Sequence, residues 1–153
     1  MRALVQLAYA IRRLLFGLLR LKTTGEKVML FNREGELLLI RNGYGDSSLF
    51  VLPGGGVSRG ESPAAAAARE LCEELAIEIL DVNPVWTFES TAEGKRDTIH
   101  LFRAVTEEQP KPDDLEVVEA KFFPLDAMPS ALSPATRRRI AELKKERPID
   151  SRW

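Results

Sequence analysis

Glu70, Glu73 and Glu74 stand at i, i+3 and i+4 in a segment of helical periodicity, so their carboxylates fall within one arc of a helix surface. Like charges at that spacing destabilise a helix by roughly 0.2–0.5 kcal/mol per pair, and no Lys or Arg lies four residues beyond Glu70 to offset them. A hard divalent cation is the natural counter-charge: Mg²⁺ takes one or two carboxylates and keeps waters and phosphate oxygens in its shell. Taken alone, the three acids also fit an ordinary solvated helix face. The glycines ahead of them change that weighing. Gly54, Gly55 and Gly56 let a ligand approach the backbone closely and lead directly into the acidic helix. Two familiar phosphate loops are excluded. Gly55 and Gly60 have P-loop spacing, but Glu61 stands where its lysine belongs, and Arg59 takes the place of the third glycine of a dinucleotide fingerprint.

These residues resemble the Nudix box. In that pattern a glycine and a glutamate are separated by five residues, and seven more precede Arg-Glu-aliphatic-x-Glu-Glu-x-Gly-aliphatic. Gly55, Glu61, Arg69, Glu70, Leu71, Glu73, Glu74 and Ile77 all match at the required spacing. The lead-in Phe50-Val51-Leu52-Pro53-Gly54-Gly55 and the late segment Glu119 to Leu125 are similar to the family's as well, so the likeness spans about residues 25 to 145. One position departs: Ala76 replaces the glycine that ends the helix in a left-handed conformation. Alanine there costs on the order of 1 kcal/mol, so the helix is expected to end by another geometry.

The resemblance implies a Mg²⁺-dependent hydrolase, with Mn²⁺ able to substitute, acting on a phosphoanhydride bond of a nucleoside-diphosphate-linked small molecule. By elimination a nucleoside triphosphate is favoured. Glu73 and Glu74, with the Gly54 carbonyl, are the implied metal ligands. Glu70 either ligates metal or takes the proton of the attacking water. Arg69 is expected to orient Glu70 through a charge-assisted hydrogen bond, and Glu61 to organise the loop at the helix start. An additional carboxylate is sought at Asp114-Leu115-Glu116, with Glu116 the choice. Substrate contacts are expected from Gly55 and Gly56 and, for base stacking, from Tyr44 and Phe50; Trp86 and Phe88 are further aromatic candidates that a core would equally claim. His100, the only histidine, lies in an alternating strand and reads as structural. The alternative function is a non-catalytic nucleotide-binding sensor or interaction module, against which the intact acidic set argues.

Elements must hold these groups in place. Short aliphatic runs at 27–31 and 37–41 flank Asn32-Arg33-Glu34-Gly35-Glu36, which has turn chemistry, and so predict a hairpin. Further strands are expected at 49–52, 77–82, 85–88, 98–104 and 117–123, with a turn at 92–95. A helix over 62–75 takes Pro63 in its first turn and turns Ala64, Ala68, Leu71, Cys72 and Leu75 inward. Ser133 caps a last helix that has Pro134 at its first position and Ile140 and Leu143 facing the core. Strands and helices mix without regular βαβ alternation, which predicts an α+β layered domain. The resemblance adds a mixed sheet sandwiched between helices, an α/β/α sandwich.

The whole chain sets bounds. Its 153 residues suit one core, divided here into an amphipathic segment at 1–22 and the Nudix domain at 23–153. A net charge of −1 excludes a basic field for stable nucleic-acid binding. The single cysteine forms no intramolecular disulfide, which fits a cytoplasmic protein. Residues 2 to about 20 read as a helix whose apolar surface packs on the domain or on a second copy in a homodimer; peripheral contact with an anionic membrane is the alternative. Arg12, Arg13 and Arg20 interrupt the run, so no membrane span or secretory signal is expected.

Overall fold

The computed structural model describes Leu7, residues 22–90 and residues 96–153. Apart from Leu7 and Lys22, the amphipathic segment lies outside the described residues, as does the turn expected at 92–95. Five strands follow in chain order: β1 (Lys22–Phe31), β2 (Leu37–Asn42), β3 (Asn83–Ser90), β4 (Arg96–Val105) and β5 (Val117–Phe123). Helix α1 spans Pro63–Leu75 and helix α2 spans Pro134–Leu143.

The strands form one mixed sheet in the order β3-β4-β1-β2-β5, with β1 parallel to β4 and every other pair antiparallel. Central strands are covered on both faces and therefore carry unbroken apolar runs. Along β1, Val28 and Leu30 join the cluster packed by Ala67, Leu71 and Leu75 of α1. Met29 and Phe31 alternate to the opposite cluster, which Ile140 and Leu143 of α2 and Trp153 close. The layered sandwich expected from the sequence is thus present. Its hairpin forms too: the Asn32 amide donates to the Glu36 carbonyl at 3.1 Å, and the Asn32 side chain bonds Glu36.

Several expectations are corrected. Residues 49–52 form no strand of their own; they contribute isolated bridges, Ile40 with Val51 and Phe50 with Leu132. Residues 77–82 are not a strand either. Their apolar side chains Ile77, Ile79 and Val82 close the α1-side core while Leu80 is fully exposed, a use of aliphatic residues that periodicity does not distinguish from a strand. Finally, α1 is rotated from the expected stripe. Ala66, Ala67, Leu71, Glu74 and Leu75 are buried and Cys72 is exposed. The rotation brings carboxylates, rather than the thiol, toward the sheet.

Candidate active site

Strands β1 and β2 pair only beside their turn, at Phe31 and Leu37. Beyond it they diverge, and residues 51–57 fill the fork. Ile40 and Val51 exchange two 2.9 Å amide bonds on the β2 side. On the β1 side, Val28 donates to the Pro53 carbonyl, Glu26 to Gly55 and Val57 to Thr24, at 3.0, 3.0 and 2.9 Å. The glycine loop is therefore held as a substitute strand across the middle of the sheet.

Two glycines are required by what lies against them. Gly54 has φ +131°, and a Cβ there would fall 2.8 and 2.9 Å from the two carboxylate oxygens of Glu26. A Cβ on Gly55 would fall 2.6 Å from the carboxyl carbon of Glu70. The loop is bare so that two acids can press on it. Glu26 Oε1 accepts the Gly55 amide at 2.6 Å, and Lys27 Nζ donates to the Gly54 carbonyl at 2.5 Å.

Helix α1 delivers the remaining acids. Ser62 caps it, its hydroxyl accepting the Ala65 amide at 3.1 Å, with Pro63 following. Arg69 is the hub of the polar face. It grips Glu61 with Nε at 2.9 Å and Nη2 at 3.2 Å, and Nη2 also donates to the Gly56 carbonyl at 3.1 Å. Its Nη1 donates to Glu70 at 2.7 Å and to Glu73 at 3.0 Å. The counter-charge sought four residues beyond Glu70 thus comes from the residue before it. Glu70 is largely buried, Glu73 is 62% exposed at its side chain, and Glu74 is buried. Three acids in one arc have three environments.

Burial pushes Glu74 up to about 8 against the pull of the Lys27 charge, and Glu70, Glu116 and Asp113 raise it further. Burial likewise lifts Glu26 to about 7, opposed by Lys27 and by the Gly55 amide. Glu61 goes the other way, to about 2, through its hydrogen bonds from Arg69 and the Ser58 amide. One oxygen each of Glu26 and Glu74 is buried without a hydrogen-bond partner. Among the described residues no three His, Cys, Asp or Glu converge into a preassembled metal cage. Arg69 draws Glu70 and Glu73 aside, and Lys27 lies on the Gly54 carbonyl. The donor set nonetheless fits Mg²⁺, because that ion needs only one or two carboxylates beside its waters, and Glu74 offers a buried, unpartnered oxygen.

Glu116 is exposed, in a segment tied to the end of α1 by bonds from Lys111 to the Leu75 carbonyl and from Asp113 to that of Glu74, at 2.8 and 3.0 Å. Its charge acts on Glu74. The Asp113 carboxylate receives the amides of Leu115, Glu116 and Val117. Phe50 packs with the α2-side cluster, edge-on to Phe123 at 5.2 Å, and Tyr44 is half-buried in the loop after β2. Of the other aromatics, Phe88 is core and Trp86 is 50% exposed. His100 faces Thr87 across the β3–β4 pair, with 3.3 Å between its Nδ1 and the Thr87 hydroxyl. Sequence reasoning missed Glu26 and Lys27 as members of this site. A signal existed: Glu26 shares its parity with the core-facing Val28 and Leu30, an odd place for an acid.

Comparison with known proteins follows the same lines. A family profile described as the NUDIX domain matches residues 24–143. A protein of Bacillus subtilis (strain 168), provisionally named as an 8-oxo-dGTP diphosphatase, is 29% identical over 123 residues, 80% of each chain. An RNA pyrophosphohydrolase of Roseobacter denitrificans is 42% identical over 50 residues, covering 33% of this chain and 31% of that protein. Among solved structures, the fold is similar to a MutT NUDIX hydrolase from Burkholderia pseudomallei, with TM-score 0.71 and 24% identity over 80% of this chain and 98% of that one. A MutT protein from Methanosarcina mazei gives TM-score 0.68 at 24% identity, over 84% and 96%.

Proposed function

The chain belongs to the NUDIX family of hydrolases, and on that premise we propose that it hydrolyses a phosphoanhydride bond of a small nucleoside-diphosphate-linked substrate, foremost a nucleoside triphosphate, with Mg²⁺ as the cofactor. The carrying observation is the buried Glu74 oxygen without a partner, on which act the charges of Lys27, bonded to the Gly54 carbonyl, and of the Arg69-held Glu70. The name of the Bacillus subtilis relative, alike over most of both chains, supports a nucleoside triphosphate.

In this reading Glu74 and the Gly54 carbonyl hold the ion, Glu73 and Glu116 supply further negative charge from its exposed side, and Glu70 receives the proton of the attacking water or joins the ligands. When bound, a divalent ion lowers the pKa of water and neutralises phosphate oxygens. Arg69 fixes the direction of Glu70 through its 2.7 Å bond, and Glu61 holds Arg69 in turn. Water adds to one phosphorus and the bond to the bridging oxygen breaks, giving a nucleoside monophosphate and pyrophosphate from a triphosphate. Gly55 and Gly56, with Tyr44 and Phe50, remain the proposed substrate contacts.

The test is release of phosphate and pyrophosphate from nucleoside triphosphates, nucleotide sugars, dinucleoside polyphosphates and ADP-ribose, in Mg²⁺ or EDTA, by wild type and Glu74→Gln. Turnover that needs Mg²⁺ and collapses in Glu74→Gln is expected. Saturable nucleotide binding with no turnover of any of these would replace the enzyme reading with a nucleotide-binding module.

A further inference from the structure

Glu26 has no part in the reading above, yet it is fully buried on the sheet face that α1 covers. Val28 and Leu30, on the same face of β1, show what packs there without electrostatic cost. A buried carboxylate retained for structure alone should have both oxygens satisfied, because an unpaired buried charge costs several kcal/mol. Even the partly exposed Glu61 has both oxygens satisfied, by Arg69 and the Ser58 amide. Glu26 does not. Its Oε1 takes the Gly55 amide, while its Oε2 has no partner.

The free oxygen is not isolated. Both carboxylate oxygens lie against Gly54, as the 2.8 and 2.9 Å approaches to a Cβ position show. The carbonyl of that same residue carries the Lys27 ammonium. The Lys27 charge acts on Glu26 and on Glu74 alike, and each of those acids keeps one buried oxygen unpartnered. Two half-satisfied acids therefore share one cation beside one backbone carbonyl.

We propose that Glu26 is an additional anionic member of the divalent-cation site, its Oε2 serving the ion held by Glu74 and the Gly54 carbonyl. This rests on the metal-dependent reading of the site. A Gln at the position keeps an oxygen for the Gly55 amide, so the loop stays anchored while the charge is lost; Met removes both and fills the same space.

Mn²⁺ binding to the full chain, followed by the electron paramagnetic resonance signal of the free ion, separates the possibilities. Circular dichroism melts in chelator check the fold. Glu26→Gln should raise the Mn²⁺ dissociation constant about 10-fold or more while melting at or above the wild-type temperature. If it binds Mn²⁺ as wild type does, Glu26 only anchors the loop and the proposal is overturned. Should Glu26→Gln fail to fold, Glu26→Met is read by the same criterion. A wild type that binds no Mn²⁺ would instead refute the metal-dependent reading itself.

Discussion

Two buried charged centres lie on opposite faces of one sheet and are treated in opposite ways. On the α2 side Arg139 has no exposed side-chain surface. It donates to Glu142 at 2.9 Å and to the carbonyls of Asp150 and Arg152 at 3.3 and 3.2 Å, and stacks 3.9 Å from the centre of the Phe88 ring. Glu142 in turn receives the Asp150 amide at 3.0 Å. On the α1 side Glu26 and Glu74 are buried with an oxygen each left over. The arginine centre carries its own counter-charge in Glu142, with Nε the one guanidinium nitrogen left without a partner, and ties the C-terminal residues onto edge strand β3, where Glu89 and Ser151 pair. The acidic centre is left short of cations. A buried charge that the chain pairs with an opposite one is structural, and one it leaves without an ion pair is available for a ligand.

The sharpest way to break this contrast is to remove one member of each centre. Arg139→Ala removes the arginine packed on Phe88 and leaves Glu142 with the Asp150 amide and Arg147 at 3.9 Å, and should cost about 3 kcal/mol of stability, read by urea unfolding. The turnover of the remaining folded molecules should be unchanged. Replacing Glu142 by Leu in the same chain should return part of the loss, because the pair rather than either charge is what the core tolerates. Glu74→Gln should do the reverse, lowering kcat by about 10²–10³-fold without loss of thermal stability. An Arg139 variant that stays stable but loses activity would dissolve the distinction.

Acidity sharpens it further, since the two centres respond to pH with opposite signs. Glu26 and Glu74 have folded values of about 7 and about 8, above the ordinary 4.5, so the folded chain binds their protons more tightly than the unfolded chain does. In chelator their contribution is most favourable below pH 4.5 and declines as pH rises to about 8. Asp150 is held at about 2 by Arg152, so its contribution is complete above 3.8 and lost as pH falls through about 2. Melts across this range should show Glu74→Gln flattening the decline at high pH and Asp150→Asn flattening the loss at low pH. Mg²⁺ should stabilise wild type more near pH 8 than near about pH 6, where it competes with protons for the same carboxylates.

The acidic centre is partly legible in the sequence. Glu70, Glu73, Glu74 and Arg69 stood out because charged identities at fixed helical intervals survive in one dimension. Glu26 and Lys27 did not, because the contacts that recruit them span 29 and 27 residues and exist only where β1 and β2 part and the glycine loop enters between them. The same limit explains the fold. Strand β5 and both helices were readable from their own periods and caps. The segments 49–52 and 77–82 are apolar because they fill a fork and close a core, uses that only the assembled sheet defines. Apolar periodicity turns Cys72 inward, whereas the helix buries Glu74 and rests Glu70 against Gly55, leaving the thiol exposed.

The smallest expected effect lies at the exit of that helix. Ala76 was expected to force a different ending, but it adopts the left-handed conformation that the family's glycine would take, with φ 53° and ψ 38°. Its amide reaches the Cys72 carbonyl at 3.0 Å, and that of Ile77 reaches Leu71 at 3.2 Å. Packing overrides the intrinsic preference, since Ile77 must enter the core directly after the turn. Alanine pays roughly 1–2 kcal/mol for this backbone. Glycine would relieve that cost but lose about 0.5–1 kcal/mol to unfolded-state entropy, so Ala76→Gly should gain between nothing and about 1.5 kcal/mol. The Ala76 methyl is exposed, so little apolar burial is lost with it. Turnover should not move, because the bonds from Lys111 and Asp113 hold the last turn of α1, and with it Glu74, from outside. A urea midpoint that falls in Ala76→Gly would show that the strain lies elsewhere. One that rises would show a fold accepting local strain to hold the carboxylate side of the sheet.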